Sequence, residues 1–357
     1  MPPFQCGIGD HSLHLAGTLR QQGCQVSIIA GRGEATDGVS IVDCDWGLKS
    51  LERLFRKLAE LQPDLVLIQF TPLMYRNANH GDARDMVPFW ERCAGLWKTA
   101  IIVHETYFRT WWYPPSWVRG SREKALLQKM VRHSHFVFSA SQPLVDEMDG
   151  WERGAKASLL PIGSNFPFVE IDRDAVRSER VIGADEILLV LFGGGNSLKW
   201  MRRHVHTTDA LLHSAGVNAK WLMLGGIPSS WFRLKLPVVS PGRLNEQEIS
   251  IRLQTCDIFL MPHYAGLCAK RGTLMAAMQH GLPVVGSRTP MTEHYWDNLK
   301  GVRLTPMRHA RAFAGQVLAL SRDRAARELM GRANREYFLG HFTWPAISQT
   351  LLDSVGR

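Results

Sequence analysis

The chain has 357 residues, of which 45% are hydrophobic and 21% are charged, and its formal net charge is +9. This composition is that of a folded protein and excludes an intrinsically disordered chain. The length exceeds what a single hydrophobic core normally supports, so we expect two domains. No apolar run reaches the roughly 18 residues that a membrane-spanning helix needs, and the first residues lack a signal-peptide pattern. We therefore expect a cytoplasmic protein.

The positive charge is compatible with an anionic ligand, an anionic membrane face or nucleic acid. The basic residues are spread along the chain without a Lys/Arg block, and they do not alternate with base-stacking aromatic residues, which argues against nucleic acid. The six cysteines show neither C-x-x-C pairs nor zinc-finger spacing. Reduced thiols are therefore predicted, rather than disulfides or a metal site.

Strand-like apolar runs alternate with helix-like segments, a pattern typical of parallel sheets covered by helices on both faces. The predicted strands span residues 25–30, 65–70, 100–103, 136–140, 158–161, 187–192, 220–224, 257–261 and 283–286. An apolar stripe at helical spacing predicts one helix that packs on a sheet, formed by Leu48, Leu51, Leu54, Phe55, Leu58 and Leu61. Helices are also predicted over 308–321 and 323–339, with a tail helix after Trp344.

The pattern predicts two Rossmann-like α/β domains. Residues 166–184 contain Pro167 and several charged residues but no strand-like run, and we predict that they link the domains. The expected division is an N-terminal domain over 1–170, a C-terminal domain over 171–340 and a tail helix over 341–357. This tail can cross back to the first domain.

Only six residues, two of them prolines, precede Gly7, so the strand that should feed the glycine turn there is missing. We hypothesise that a short hydrophobic strand is encoded directly upstream of Met1. Hydrophobic in-frame codons would support this hypothesis, and an immediate stop codon would reject it.

The first candidate site is the turn Cys6-Gly7-Ile8-Gly9-Asp10-His11-Ser12, which precedes a predicted helix. Its glycines allow close approach of a ligand, and the helix start offers N–H groups and a positive dipole end to a phosphate or a sugar. The alternative interpretation is a tight turn in which Asp10 or Ser12 is the helix N-cap.

The second candidate is His104-Glu105, directly after the buried strand 100–103. The carboxyl end of a parallel strand is where α/β proteins bind ligands. The aromatic, proline-rich loop that follows contains Tyr107, Trp111 and Trp117, and it could stack on a sugar ring or lie at a membrane interface. The alternatives are a structural histidine and a loop packed over the core.

The third candidate is Gly193-Gly194-Gly195-Asn196-Ser197-Leu198-Lys199, a glycine loop after a strand. Its backbone donors and Lys199 could meet a diphosphate. The G-K-[ST] ending of a P-loop is absent, which disfavours ATP-type phosphoryl transfer. The alternative is a surface turn with a solvated lysine.

The fourth candidate is the basic turn Lys270-Arg271-Gly272-Thr273 ahead of a predicted helix. Two cations would add to the positive end of the helix dipole, an arrangement suited to pyrophosphate. The alternative is a solvated basic turn.

These motifs occur in an order that resembles family-4 type (group 1) glycosyltransferases of GT-B fold. This resemblance implies that the two Rossmann-like domains face each other across a cleft. The resemblance also includes Leu-Pro-Ile-Gly-Ser-Asn over 160–165, Pro-Gly-Arg-Leu over 241–244 and Gly-Leu-Pro-Val-Val over 281–285. It implies a hexosyltransferase-like enzyme that transfers a sugar, with retention and without a metal, from a nucleotide-diphosphate sugar to an acceptor hydroxyl. A UDP- or GDP-sugar would be the co-substrate, and no bound cofactor is expected.

The resemblance also implies roles for residues of this chain. Gly7, Gly9 and Asp10 would line the donor and acceptor wall, and His104 would contact the transferred sugar. Lys199 and Arg271 would act in catalysis on the departing diphosphate. The remaining donor-binding residues would be Gly193, Gly194, Asn196, Lys270, Gly272 and Thr273. Glu105, Tyr107 and Trp111 would face the acceptor, which could be a glycan, a lipid-linked acceptor or a small molecule.

Two departures from the family pattern leave alternatives open. An arginine expected near Gly194 is missing, and the two glutamates that usually hold sugar and ribose are replaced by Cys268 and Ala276. A catalytically degenerate nucleotide-binding scaffold is therefore one alternative. A nucleotide-sugar epimerase is another, although paired carboxylates for proton shuttling are absent. The charge and the aromatic loop also suggest weak attachment to an anionic inner membrane face, and no nucleic-acid partner is expected.

Overall fold

The computed structural model describes residues 6–36, 38–72, 74–77, 79–107, 114–151, 156–193, 198–227 and 232–356. Its contacts divide the chain into two compact units. Unit 1 consists of Met1–Pro161 with Trp344–Arg357, and unit 2 consists of Ile162–Thr343. Both units are α/β structures in which every pair of neighbouring strands is parallel. The predicted α/β fold class with parallel sheets is confirmed.

The elements follow one another in alternation along the chain. The helices are α1 (Gly7–Gln21), α2 (Leu48–Leu61), α3 (Met86–Ala94), α4 (Pro114–Arg132), α5 (Gln142–Asp149), α6 (Arg173–Glu179), α7 (Leu198–Ser214), α8 (Glu246–Thr255), α9 (Gly272–Gln279), α10 (Ala310–Arg322), α11 (Arg324–His341) and α12 (Trp344–Val355). The strands are β1 (Ile28–Ala30), β2 (Val39–Ile41), β3 (Leu65–Phe70), β4 (Lys98–Val103), β5 (Phe136–Ser139), β6 (Ala157–Leu159), β7 (Ile187–Phe192), β8 (Ala219–Leu224), β9 (Val238–Val239), β10 (Ile258–Met261), β11 (Val284–Arg288) and β12 (Val302–Pro306).

The strands of unit 1 form two separate sheets. Strands β3, β4, β5 and β6 form a four-stranded sheet in that order, and β1 pairs only with β2. Strand β1 begins at Ile28 and not at the predicted residue 25. The reason is that the Arg20 guanidinium donates to the carbonyl of Val26, at 2.6 and 3.1 Å, and ties this segment to the end of α1. Because the two sheets are separate, one edge of β1 and one edge of β3 have no strand partner among the described residues.

Helices cover both faces of the four-stranded sheet. On one face, α2 contributes buried Leu51 and Phe55 to a core shared with α3 and α4. The predicted apolar stripe is too long, because Leu48 and Leu61 at the ends of α2 remain 64% and 41% exposed. On the other face, α1 and α12 pack together around one cluster, which consists of Leu15, Ala100, Ile102, Phe138, Leu160, Ile347 and Leu351. The tail helix therefore belongs to unit 1.

Unit 2 has a six-stranded sheet in the order β12-β11-β10-β7-β8-β9. The segment predicted as a linker packs on this unit: the N–H of Val169 donates to Ser250 Oγ at 3.0 Å, and Arg177 of α6 is buried. Its guanidinium donates to Asp257 Oδ2 at 3.1 Å and to the carbonyl of Glu186 at 2.6 Å. These bonds explain why the contacts divide the chain at Ile162, ahead of the predicted boundary after residue 170.

Candidate functional site

In unit 1, the predicted glycine turn forms the start of α1. Cys6 is the N-cap, in extended conformation, and it makes no side-chain capping bond. The alternative in which Asp10 or Ser12 caps the helix is therefore wrong. Asp10 lies in the first turn, where burial raises the pKa of its carboxyl. Gly9 is buried, whereas a Cβ added at Gly7 would meet no atom of the described residues within 4 Å. With respect to these residues, space is open beside Gly7 at the helix start.

His104 lies at the exit of β4, as predicted, and close to the start of α1. Its backbone N–H donates to the carbonyl of Phe70 at 3.0 Å, and its Nε2 lies 2.6 Å from Oε1 of Gln69. The amide oxygen is an acceptor, so this pair assigns the proton to Nε2. The ring of His11 meets that of His104 edge-on, with centroids 5.2 Å apart. The structure thus brings two predicted site elements of unit 1 together.

His11 was part of the predicted glycine turn, but no sequence pattern assigned it a role. Burial, assisted by His104 and His14, lowers its pKa to about 3, so its imidazole is neutral at physiological pH. Trp344, the first residue of α12, meets His11 edge-on and stacks on His14, with centroids 5.2 and 5.3 Å away. The final helix therefore contributes an aromatic side chain beside the predicted site of unit 1.

The predicted acceptor residues are only partly described. Glu105 is exposed. The hydroxyl of Tyr107 donates to the carboxylate of Glu147, and the ammonium of Lys124 lies 5.5 Å from the centre of the Tyr107 ring. These contacts tie Tyr107 to α4 and α5. Trp111 lies outside the described residues.

In unit 2, the predicted basic turn leads from β10 into α9. Lys270, Arg271, Gly272 and Thr273 are all half-buried, and Arg271 is the N-cap residue, without a side-chain capping bond. The helix itself is buried over residues 274–278. Two cations thus lie at the start of a helix whose positive dipole end meets the surface, which favours an anion at this point.

Arg271 has unusual partners for a half-buried cation. Among the described residues it forms no ion pair with a carboxylate, and its Nε is buried without a hydrogen-bond partner. Its Nη2 lies 3.4 Å from Nδ1 of His263. Burial, together with the charges of Arg271 and Lys270, lowers the pKa of His263 to about 3. The imidazole of His263 is therefore neutral at physiological pH.

Glu293 supports the same turn, and sequence reasoning missed it. It is 1% exposed, accepts from the N–H of Ala269 at 3.3 Å and from Nε1 of Trp296 at 2.7 Å, and burial raises the pKa of its carboxyl. It lies 24 residues from Ala269 in sequence, so no local signal could reveal the contact. Cys268 and Ala276, which stand where the family has glutamates, are fully buried.

The predicted glycine loop of unit 2 begins beside Gly225 and Gly226, the two glycines that follow β8. The N–H of Gly193, after β7, donates to the carbonyl of Leu224 at the end of β8 at 3.2 Å. Gly225 has φ +85°, and a Cβ added there would collide with the carbonyl of Gly193. Only glycine allows this approach. The two glycines after β8 are a signal in the sequence that was not used.

The rest of the predicted loop is described incompletely. Lys199 lies in the first turn of α7, but its side chain lies outside the described part. Gly194 and Asn196 lie outside the described residues altogether. The catalytic role of Lys199 and the donor-binding roles of these two residues stay predictions.

Two further findings concern the described residues only. No three of their His, Cys, Asp or Glu side chains lie where they could hold a metal ion together. Likewise, none of the helices within the described ranges combines the length and the apolar character that a membrane crossing requires.

Comparisons with known proteins agree with this architecture. Residues 186–323 match the family model described as glycosyl transferases group 1. This part of unit 2 contains Gly193, Gly225, the basic turn and Glu293. The C-terminal unit therefore carries a glycosyltransferase-family domain. No curated protein matches the chain in sequence.

Solved structures resemble nearly the whole chain. Sucrose-phosphate synthase from Thermosynechococcus elongatus is 14% identical with a TM-score of 0.73, over 97% of this chain and 92% of that chain. A glycosyltransferase from Rickettsia africae is 12% identical with a TM-score of 0.71, over 99% and 96%. Anabaena HepE, solved in complex with UDP and glucose, is 12% identical with a TM-score of 0.69, over 98% and 96%. The fold is that of the GT-B glycosyltransferases.

Proposed function

We propose that this chain is a retaining glycosyltransferase of the family-4 type, which moves a sugar from a nucleotide-diphosphate sugar to an acceptor hydroxyl without a metal ion. The observation that carries the proposal is the position of Arg271. It is a half-buried cation at the uncapped start of α9, with no carboxylate partner among the described residues. An arrangement of this kind favours the binding of an anion.

The chemistry follows from the charge that develops in the reaction. As the bond between sugar and diphosphate breaks, the leaving group gains negative charge. Arg271, Lys270 and the N–H groups at the start of α9 stabilise that charge more than they stabilise the intact donor, which lowers the barrier to transfer. Lys199 would add a third cation. In this proposal, these side chains supply the charge that a metal ion would otherwise provide.

The proposed donor is a UDP- or GDP-sugar. His104 contacts the transferred sugar, while Gly7, Gly9 and Asp10 line the wall that receives donor and acceptor. The hydrogen bond between Nε2 of His104 and Oε1 of Gln69 supports this role, because it fixes the orientation of the imidazole at the end of β4.

Nucleotide binding tests the proposal directly. We expect UDP or GDP to raise the unfolding temperature, because a ligand at 100 times its dissociation constant stabilises the folded state by about 2.7 kcal/mol. The measurement is thermal unfolding with UDP, GDP, ADP and their common sugars, followed by mass spectrometry of donor consumption with candidate acceptors. No stabilisation by any of these nucleotides would contradict the proposal.

A second candidate function is a nucleotide-binding scaffold without turnover. Cys268 and Ala276 favour it, because neither residue can replace a carboxylate that holds sugar or ribose, and both are buried. Stabilisation by a nucleotide without transfer or hydrolysis of any sugar donor would support the scaffold and reject the enzyme.

We also infer that unit 1 attaches weakly to anionic membranes through α4. Near the start of this helix, Trp117 and Val118 are 57% and 58% exposed. Arg122 and Lys129 are exposed further along it, whereas Glu123 is buried and paired with Arg76. The exposed side is thus basic and partly apolar, as an anionic lipid surface requires.

Vesicle binding tests this attachment. The protein should co-sediment with vesicles of phosphatidylcholine and phosphatidylglycerol at low salt, less at moderate salt, and not with phosphatidylcholine alone. Each basic residue near the surface contributes about 1 kcal/mol, so the double variant Arg122→Glu/Lys129→Glu should lose binding. Arg56→Glu, on the exposed surface of α2, is the matched control. Equal binding by both variants would reject α4 as the contact.

A further inference from the structure

The partner of Arg271 sets it apart from other arginines of unit 2. Arg177 and Arg173 both pair with the carboxylate of Asp257, at 3.1 and 2.8 Å. Arg180 likewise pairs with Glu248 at 2.9 Å. The side chain within hydrogen-bond reach of Arg271, in the described part of the chain, is the imidazole of His263, at 3.4 Å.

His263 is itself fixed by the turn that contains it. It is 5% exposed, and its Nδ1 accepts from the N–H of Ala265 at 3.1 Å. Its carbonyl accepts from the Ser287 hydroxyl at 2.6 Å. The Thr289 hydroxyl donates to the carbonyl of Ala265 at 2.7 Å. Ser287 of β11 and Thr289 directly after it therefore fix the turn that carries His263, and with it the position of Nδ1.

The hydrogen bonds also define the state of the imidazole. Since Nδ1 accepts from a backbone N–H, it carries no proton, and the ring is the neutral Nε2–H tautomer. Its single lone pair is shared between the N–H of Ala265 at 3.1 Å and the guanidinium of Arg271 at 3.4 Å. A neutral acceptor can orient a guanidinium without cancelling its charge. A carboxylate in the same place would orient it equally well, but it would form an ion pair and compete with any anionic ligand.

We propose that His263 is a positioning residue that orients Arg271 and leaves its full charge available for an anionic group. The inference rests on the proposed function, because it takes the anion to be the diphosphate of a nucleotide-sugar donor. It extends that function by assigning a role to a residue that does not itself touch the donor.

Two substitutions of the same size and shape separate orientation from charge. His263→Asn places a neutral amide oxygen where Nδ1 was, and His263→Asp places a carboxylate there. We expect His263→Asn to bind UDP, GDP or inorganic pyrophosphate with an affinity close to that of the unchanged protein. His263→Asp should bind about tenfold more weakly or worse, because its carboxylate pairs with Arg271. Isothermal titration calorimetry, with thermal unfolding as a check of folding, measures both.

The outcomes distinguish this inference from the proposed function. If the Asn and Asp variants bind the ligand with equal affinity, whether or not that affinity is below that of the unchanged protein, the role of His263 is overturned. Nucleotide binding by the unchanged protein would still stand. If the unchanged protein binds neither nucleotide nor pyrophosphate, the proposed function fails. In that case ¹⁵N NMR of the imidazole decides about His263: a neutral Nε2–H ring over about pH 5 to 8 supports the inference, and protonation within that range overturns it.

Discussion

Replacing Arg271 by alanine should lower the rate of sugar transfer by roughly 10- to 1000-fold, the range for one lost transition-state donor. The reason is that the guanidinium lies at the start of α9 without a carboxylate partner among the described residues, so a departing diphosphate is its natural counterion. Lys199→Ala is expected to fall in the same range. The effect is measured by steady-state kinetics, with the sugar donor that the thermal unfolding experiment has identified.

The matched control for Arg271 is Arg311→Ala. Arg311 is an exposed arginine on α10 in the same unit, so this change removes the same charge without touching the basic turn. Its rate should stay close to that of the unchanged enzyme. Unchanged rates in both the Arg271 and the Lys199 variants would remove these cations from the mechanism.

A methyl group at Gly225 should weaken nucleotide binding by about tenfold or more, whereas the same change at Gly226 should weaken it little. Both residues have positive φ, at +85° and +75°, so each alanine pays a similar conformational cost of roughly 1–2 kcal/mol. The new Cβ at Gly225 would meet the backbone of Gly193, while at Gly226 no atom of the part of the chain that the structure describes lies within 4 Å. The difference between the variants therefore reports displacement of the glycine loop.

Calorimetric titration with the bound nucleotide, beside thermal unfolding of each variant, measures this difference. Gly225→Ala is expected to unfold at the lower temperature, because of the backbone collision, so the two affinities are compared at a temperature at which both variants are fully folded. If Gly225→Ala and Gly226→Ala bind the nucleotide equally well, the close approach of the two glycine segments serves the fold and not the ligand.

The buried strands could be predicted from sequence because they are continuous apolar runs. The predicted spans 65–70 and 187–192 agree with β3 and β7. Strands β2, β9 and β12 were missed. Each has two to five residues, of which at most one is buried, and β12 contains Arg303 and ends at Pro306. Such edge strands are stabilised by their neighbour in the sheet, which a local pattern does not show.

The candidate site could be predicted only where its chemistry is local. Glycine turns and the pair Lys270-Arg271 are visible in the sequence, because they combine permissive backbone with charge. The supports of the turn are not visible. Glu293 and His263 act through contacts with Ala269 and Arg271 that depend on the tertiary arrangement of β10, β11 and α9. His11 likewise acquires its neutral state from the surrounding fold.

The position of α12 determines the order in which the two units can fold during synthesis. Unit 2 is one continuous stretch, Ile162–Thr343, whereas unit 1 draws on both ends of the chain. Leu15 of α1 shares its core cluster with Ile347 and Leu351. A nascent chain emerges at about 5–20 residues per second, so this face of α1 stays exposed until α12 has been synthesised, after the whole of unit 2. Unit 1, which begins first, is therefore completed only after unit 2, and removal of α12 would expose the cluster around Leu15.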